Sequence, residues 1–546
     1  MSHRVKPDTA QDFRRSVPGI AAAFVAVTCL GFAAFTRHAW EDYYITFRCS
    51  LNLATGQGLV YQPGEHVHAF TSPLGTLLPA LLALGGGTDV AGRALWLFRL
   101  LGSAALAVGV AITARRLLRE GAVPAAVAAG CGLWIFDAKT VDFTINGMEV
   151  ALVVFFLVLC WQAFVDEAPA WRIGLALAGL QWTRPDGWVY FGALALAWLA
   201  LGPAPRRPRF ALLLRGALIG LVLTLPWLAV ATLYYGSPIP HTIVAKVQLQ
   251  GPAEVAAALA TYPVRLLFGR VALHDLFLPA YFYFGGWPAW LPWFGRLVSV
   301  AAALAWMWPM VRRPARLASA AFFLGGFYVE YIPRSPWYYP GWQALACIAW
   351  IGLVDALLRL GARPGRWNSF GARLGRIAIL ALVAIQLALL AGVAWEMHTQ
   401  QRVIETQHRA VIGKWLKAHA RPGDRVYLEP LGYIGYFSGL KMLDYPGLAS
   451  PEVVAARRAG NRTQAEIIAA LRPEWLVLRP DQVAGVLQQS PSLLAKDYVL
   501  ARSFDANAAV QSVAFLPGRG YLQFDAHYDV FARRDRPGEP AHAAHP

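Results

Sequence analysis

Charge is scarce in this chain. Asp, Glu, Lys and Arg make up 15% of its 546 residues, against about a quarter in ordinary soluble domains. Cysteine is sparse as well. Of the five, Cys29, Cys131, Cys160 and Cys347 lie inside apolar runs and Cys49 lies just after one. No CxxC pair occurs, which argues against a zinc site or a disulfide framework, and an odd count leaves at least one thiol free. Phosphate-cradling signatures are missing too: there is no P-loop and no GxGxxG ahead of a helix. No small-residue cleavage site follows the first apolar run, Val17 to Phe35, so that run reads as a span rather than a cleaved signal. What the chain has instead is apolar bulk. Hydrophobic residues are 57% of the total and mean hydropathy is +0.42. A disordered chain is excluded, and a polytopic membrane protein with a soluble part attached fits best.

Runs near the ~20 apolar residues needed to cross a bilayer cover 17–36, 94–114, 121–137, 147–165, 187–203, 210–233, 295–311, 317–332, 339–358 and 377–396, with a shorter one at 171–183. The count is about eleven transmembrane helices. The formal charge of +17 sits between these runs, in clusters such as Arg115-Arg116-Arg119 and Arg312-Arg313-Arg316. This pattern is a topology signal and not a nucleic-acid surface. Placing the clusters in the cytoplasm puts the N-terminus inside. It makes about 37–92 the first outer loop, with 72–86 a helix lying at the outer surface and 252–294 an interfacial stretch. Residues 1–396 then form the membrane domain, and 397–546 lie outside a bacterial cytoplasmic membrane. That tail alternates strand-like Arg425–Glu429, helix-like Gln464–Leu471 and strand-like Trp475–Leu478, Tyr498–Phe504 and Tyr528–Ala532, which predicts an extracytoplasmic α/β domain.

Polar residues gather at the outer ends of the spans. The first outer loop opens with Glu41-Asp42-Tyr43-Tyr44-Ile45-Thr46-Phe47-Arg48 and continues through Gly56-Gln57-Gly58-Leu59-Val60-Tyr61 to His66, His68 and Thr71-Ser72-Pro73-Leu74. Further along come Gly147-Met148-Glu149, Thr183-Arg184-Pro185-Asp186-Gly187, Tyr235-Gly236-Ser237-Pro238-Ile239-Pro240-His241 with Lys246, and Arg334-Ser335-Pro336-Trp337-Tyr338-Tyr339-Pro340. Carboxylates at span ends are costly unless solvated, paired or used, and each string alone also reads as a solvated helix end, a turn or an aromatic anchor. Together they suit a pocket for a ligand with a phosphate, hydroxyls and an apolar tail.

In this order the strings resemble the GT-C superfamily of membrane glycosyltransferases, nearest the mycobacterial terminal β-arabinofuranosyltransferase group, over roughly residues 20–450. The resemblance implies a polyprenyl-phosphate-linked monosaccharide donor, a glycan, lipid-linked or protein acceptor, and transfer at the outer membrane face. It carries the catalytic carboxylate to Asp42, with Glu41 beside it where relatives often have a second Asp. Glycosyl transfer needs a base for the acceptor hydroxyl and positive charge at the departing phosphate. Arg184, His241, Lys246 and Arg334 are the candidate cations. Glu149 and Asp186 are candidates to bind sugar hydroxyls or to position those cations, and Tyr338 and Tyr339 to line the sugar. Burial would raise the pKa of Asp42 and nearby Arg48 would lower it. His66, His68 and the carboxylates leave a divalent cation open, though no spacing demands one. In the tail, Glu429-Pro430-Leu431-Gly432-Tyr433-Ile434-Gly435 offers either a tight turn or ligand contact. A lipid-linked sugar transporter and a non-enzymatic envelope assembly protein are the alternative readings.

Overall fold

The computed structural model describes residues 9–202, 205–246, 251–330, 335–362 and 366–535. It is a mostly helical membrane protein closed at one end by a five-stranded sheet. The chain enters through α1 (Thr9–Thr36), then makes α2 (Glu41–Ala54), α3 (Pro73–Ala83), α4 (Val90–Arg119), α5 (Pro124–Ile135), α6 (Ala138–Ile145) and α7 (Val150–Val165). It continues through α8 (Ala170–Thr183), α9 (Gly187–Leu201), α10 (Arg206–Tyr235), α11 (His241–Lys246) and α12 (Pro252–Phe268). The last large helices are α13 (Leu291–Leu304), α14 (Arg313–Val329), α15 (Pro340–Gly361) and α16 (Arg366–Gln400).

All eleven apolar runs are helical, but they divide by length. Among the described residues, five helices are long and apolar enough to cross a membrane, with Gly375–His419 counted as one. A sixth crossing is formed if α6 and α7 count as one span, bent by 115° at the Asn146-Gly147-Met148-Glu149 break. The remaining runs give helices of 12 to 17 residues, such as Pro124–Ile135 and Arg313–Val329. These are shorter than the ~20 residues of a straight crossing; α5 and α7 are largely buried, whereas α8 and α13 expose large apolar side chains such as Trp171 and Leu297.

Local chemistry sets the ends near the outer face. The Ser72 hydroxyl accepts from Gly75 N at 2.8 Å, and Pro73 fills the first turn of α3, where no donor is needed. α10 ends at Gly236, whose φ of +77° is the left-handed stop that glycine takes without cost. The stretch 252–294, read as interfacial, contains α12 and then two short 3₁₀ turns, Ala272–Asp275 and Phe282–Phe284.

α16 does not stop at residue 396. It runs on through a π-helical segment, Gln401–Arg409, into α17 (Ala410–His419), so one rod joins the bundle to the sheet domain. The strands are β1 (Arg425–Leu428), β2 (Lys441–Asp444), β3 (Trp475–Leu478), β4 (Tyr498–Asp505) and β5 (His527–Arg533), in spatial order β2-β1-β3-β5-β4. β1 pairs in parallel with β2 and β3, while β5 pairs antiparallel to β3 and β4. β3 is central and buried at all four residues, the pattern of a strand covered on both faces. β2 and the helix α18 (Gly432–Ser438) between β1 and β2 are additions to the sequence reading.

The sheet domain sits on the first outer loop through α18. Tyr433 Oη donates to Ala39 O at 3.0 Å, and Tyr61 Oη to Leu431 O at 3.0 Å. Arg48 donates to Gly435 O at 2.8 Å and lies over the Tyr61 ring. Arg48 therefore serves this junction.

Candidate active site

α2 starts directly after extended Trp40, with no side-chain cap, and the acidic pair Glu41-Asp42 occupies its first turn. Negative charge is favoured at that end of a helix. The two carboxylates then diverge. Glu41 Oε1 accepts from Gly432 N, and its Oε2 lies 3.2 Å from Arg409 Nη1. Asp42, among the described residues, has no ion-pair or hydrogen-bond partner for its carboxylate and borders two adjoining cavities. Burial raises its pKa, and Lys246 and Arg184 pull it the other way, with the net direction upward. The opposing cations are thus these two and not Arg48, which the sequence had suggested.

The smaller cavity, about 50 Å³, is bordered by Asp42, Ser72, Glu149, Arg184, Lys246 and Tyr338. Arg184 is fixed from three sides. Nη1 meets Glu149 Oε1 at 3.0 Å, Nε meets Asp186 Oδ1 at 2.9 Å, and the guanidinium lies 4.1 Å from the Tyr338 ring centre. Asp186 accepts in turn from Tyr328 Oη at 3.1 Å. Lys246 differs. Among the described residues it has no carboxylate partner, and its Nζ lies 5.5 Å from the Trp337 ring centre. The 3.0 Å bond between the Thr71 and Thr242 hydroxyls ties the first outer loop to α11, which carries Lys246.

The larger cavity, about 230 Å³, shares Asp42, Met148 and Trp337 with the first and opens between the bundle and the sheet domain. Tyr281, Tyr283 and Phe284 border it from the turn after α12, and Tyr521 and Phe524 from the sheet domain. Tyr281 and Tyr521 stack at 4.2 Å. Its charged wall is a connected network. Arg409 reaches Glu405 at 2.9 Å and Asp525 at 2.6 Å. Arg479 reaches Asp525 at 2.7 Å and Glu429 at 2.5 Å. Burial opposes ionisation of Asp525, but the two guanidiniums prevail and bring its pKa down to about 2.

Asp42, Glu149, Arg184, Lys246 and Tyr338 are therefore brought together, with Asp186 behind Arg184. Several candidates lie elsewhere. Tyr339 turns to Lys139, whose Nζ is 4.6 Å from its ring centre, beside a different cavity. His66 stacks on Tyr234 at 4.4 Å and His68 on Tyr235 at 4.6 Å, so both pack as aromatic rings away from Asp42. His241 borders neither cavity; its backbone N–H donates to His68 O at 3.0 Å. Burial lowers its pKa, which disfavours the cationic form asked of it. Glu41 is committed to Arg409 and Gly432. Arg334 lies outside the described residues. Among the described residues no three His, Cys, Asp or Glu side chains gather as metal ligands, and no step below uses a metal. Arg409, Arg479, Asp525 and Tyr521 escaped the sequence reading. Of the charged groups here, Glu41, Asp42 and Glu429 are the ones that stand out in the sequence.

The architecture is the GT-C fold. Archaeal oligosaccharyltransferase AglB from Archaeoglobus fulgidus, solved with an inhibitory peptide and a dolichol-phosphate, aligns with a TM-score of 0.53 at 10% identity over 85% of this chain and 69% of that one. ArnT from Cupriavidus metallidurans, in the apo state, aligns with a TM-score of 0.52 at 15% identity over 94% of this chain and 98% of that one. In sequence the chain is 30% identical over 262 residues to a terminal beta-(1->2)-arabinofuranosyltransferase of Corynebacterium glutamicum, covering 42% of this chain and 36% of the relative. The match thus spans about a third of that relative's length. A family model described as a domain of unknown function (DUF8728) matches residues 396–531.

Proposed function

We propose that the protein is a glycosyltransferase that moves a sugar, arabinofuranosyl by its sequence relative, from a polyprenyl-phosphate donor to a cell-envelope glycan or other acceptor at the outer face of the bacterial cytoplasmic membrane. One observation carries this reading. Asp42, whose carboxylate has no ion-pair partner among the described residues, stands at the boundary of a small cavity bearing two cations and a larger aromatic one. In the reaction, Asp42 takes the proton of the acceptor hydroxyl, whose oxygen forms the new glycosidic bond. The bond from the anomeric carbon to the donor phosphate breaks, and the phosphate leaves with the electron pair. Lys246 and Arg184 offset the charge that develops there. Glu149 and Asp186 hold the Arg184 fork in place. On this reading residues up to about 396 carry the chemistry, and the described part of the tail, 397–535, forms the outer cap.

The raised pKa of Asp42 supports the assignment, because a base works best with a pKa closer to the working pH. The test uses the full chain in lipid vesicles with a radiolabelled polyprenyl-phosphate arabinose and an arabinan acceptor. Asp42→Asn and Asp42→Ala should each reduce transfer by about a hundredfold or more. Full turnover by both variants would reject the role. Movement of the labelled lipid across the vesicle without product would point to transport instead.

A further inference from the structure

At the far end of the bundle from Asp42, α1 and α4 enclose a groove of about 430 Å³ lined by Arg14, Arg15, Pro18, Arg115, Leu118 and Arg119. Arg14 is hydrogen-bonded to Leu118 O, which joins the two helices. All four arginines are exposed, and among the described residues none of them is ion-paired. Their neighbours differ. Arg116, one residue from Arg115, pairs with Glu120 at 2.7 Å and Asp166 at 2.5 Å. Arg312, at the same end, pairs with Asp355 at 2.8 Å and donates to the carbonyls of Glu120 and Gly121. Arg116 and Arg312 thus have carboxylate partners, and among the described residues the four around the groove do not.

We propose that this groove binds the phosphate headgroup of an anionic phospholipid. Four guanidiniums converging on one concavity present forked donors that match phosphate oxygens, and basic pockets between spanning helices suit such headgroups. A topology signal alone needs basic residues near the membrane, not their convergence on one groove. The surroundings select a lipid over a soluble phosphate. Pro18 and Leu118 give the groove an apolar floor. On α4 the stripe of Arg115 continues at helical spacing into exposed Val108, Leu101 and Leu97, a track for an acyl chain. The lipid so held would fix the packing of α1 on α4.

The test measures lipid retention by the full chain purified in detergent, using native mass spectrometry with added phosphatidylglycerol or phosphatidylcholine. The wild type should retain phosphatidylglycerol in preference. Arg15→Gln/Arg119→Gln should weaken that retention at least about tenfold. Arg206→Gln/Arg207→Gln removes the same charge from exposed positions outside the groove and should leave retention within about twofold, because the headgroup is bound at one place. Arg15→Lys/Arg119→Lys should keep most of the binding, which separates lost charge from lost fold. Equal losses in the two glutamine pairs, or no preference between the lipids in the wild type, would overturn the proposal. Displacement of the lipid by millimolar inorganic phosphate would overturn the lipid as occupant.

Discussion

The two acidic residues that open α2 show how neighbours with similar chemistry are separated by their surroundings. Glu41 is held by Arg409 and the Gly432 amide, whereas Asp42 borders the two cavities, where Lys246 and Arg184 act on it without an ion pair among the described residues. If Asp42 is the base, activity must fall as pH drops through its raised pKa, since the protonated carboxyl cannot accept a proton. Lys246 stabilises the ionised form, so its removal raises that pKa further. Lys246→Gln should therefore move the acid limb of kcat/KM to higher pH by about one unit, in addition to slowing the reaction. The measurement is a pH profile of wild type and variant in the same vesicles. A slower variant with an unmoved acid limb would confine Lys246 to the donor phosphate and remove its electrostatic hold on Asp42. Residues at this scale were legible in the sequence where the membrane makes charge expensive. Glu149 and Arg184 stand out because each lies at an apolar run, and Lys246 because it follows the Tyr235–His241 string at the outer end of another. His66 and His68 drew attention by residue type, but their rings are spent on stacking with Tyr234 and Tyr235.

Among the elements, α18 does the most to couple the two parts of the chain, and it was the least visible. Its sequence, Gly432-Tyr433-Ile434-Gly435-Tyr436-Phe437-Ser438, carries two glycines and reads as a turn. The structure explains both. A Cβ on Gly432 would lie 2.0 Å from the backbone oxygen of Glu41, and one on Gly435 would lie 2.0 Å from Tyr61 Oη. Glycine weakens the helix in propensity terms yet is required by its contacts. Gly432→Ala should consequently push α18 off α2. Overpacking of this kind costs about 1–3 kcal/mol, and a thermal melt should show a lower midpoint together with a marked loss of transfer. Gly485→Ala is the control, since nothing lies within 4 Å of a Cβ there. Equal melts for the two variants would mean that the junction yields without penalty. Other elements were readable in proportion to their apolar continuity. Trp475–Leu478 is four apolar residues in a row and declares itself as a strand. Lys441–Asp444 is equally short but begins and ends in charge, and only pairing with β1 makes it a strand. The stretch Val403–Ala420 reads as helix-like and is helical in the structure, where buried Glu405 and Arg409 pair at 2.9 Å and the rod continues from α16.

On the scale of the whole molecule, the bundle and the sheet domain meet through charge as well as packing. Arg409 stands on the rod that joins them, with Glu41 from the first outer loop on one side and Asp525 from the sheet domain on the other. No local pattern in the chain announces this, because Glu41 and Arg409 are 368 positions apart and neither has a neighbour that specifies the other. A buried guanidinium between carboxylates is strongly destabilising to break by removing one partner, and the three groups should behave as a unit. Glu41→Gln and Asp525→Asn should each lower transfer activity. Combined, they should cost less than the sum of the two, because the first substitution already releases Arg409 from its place between the domains. Residues sharing a network show interaction energies of about 0.5–3 kcal/mol, large enough to read from kcat/KM of the two single variants and the double. Glu474 supplies the comparison: it pairs with Arg425 and Arg533 within the sheet domain and shares no partner with Glu41. Glu41→Gln with Glu474→Gln should be additive to within about 0.5 kcal/mol. If the Glu41 and Asp525 pair were just as additive, Arg409 would be two separate surface contacts, and the sheet domain would sit over Asp42 without acting on it.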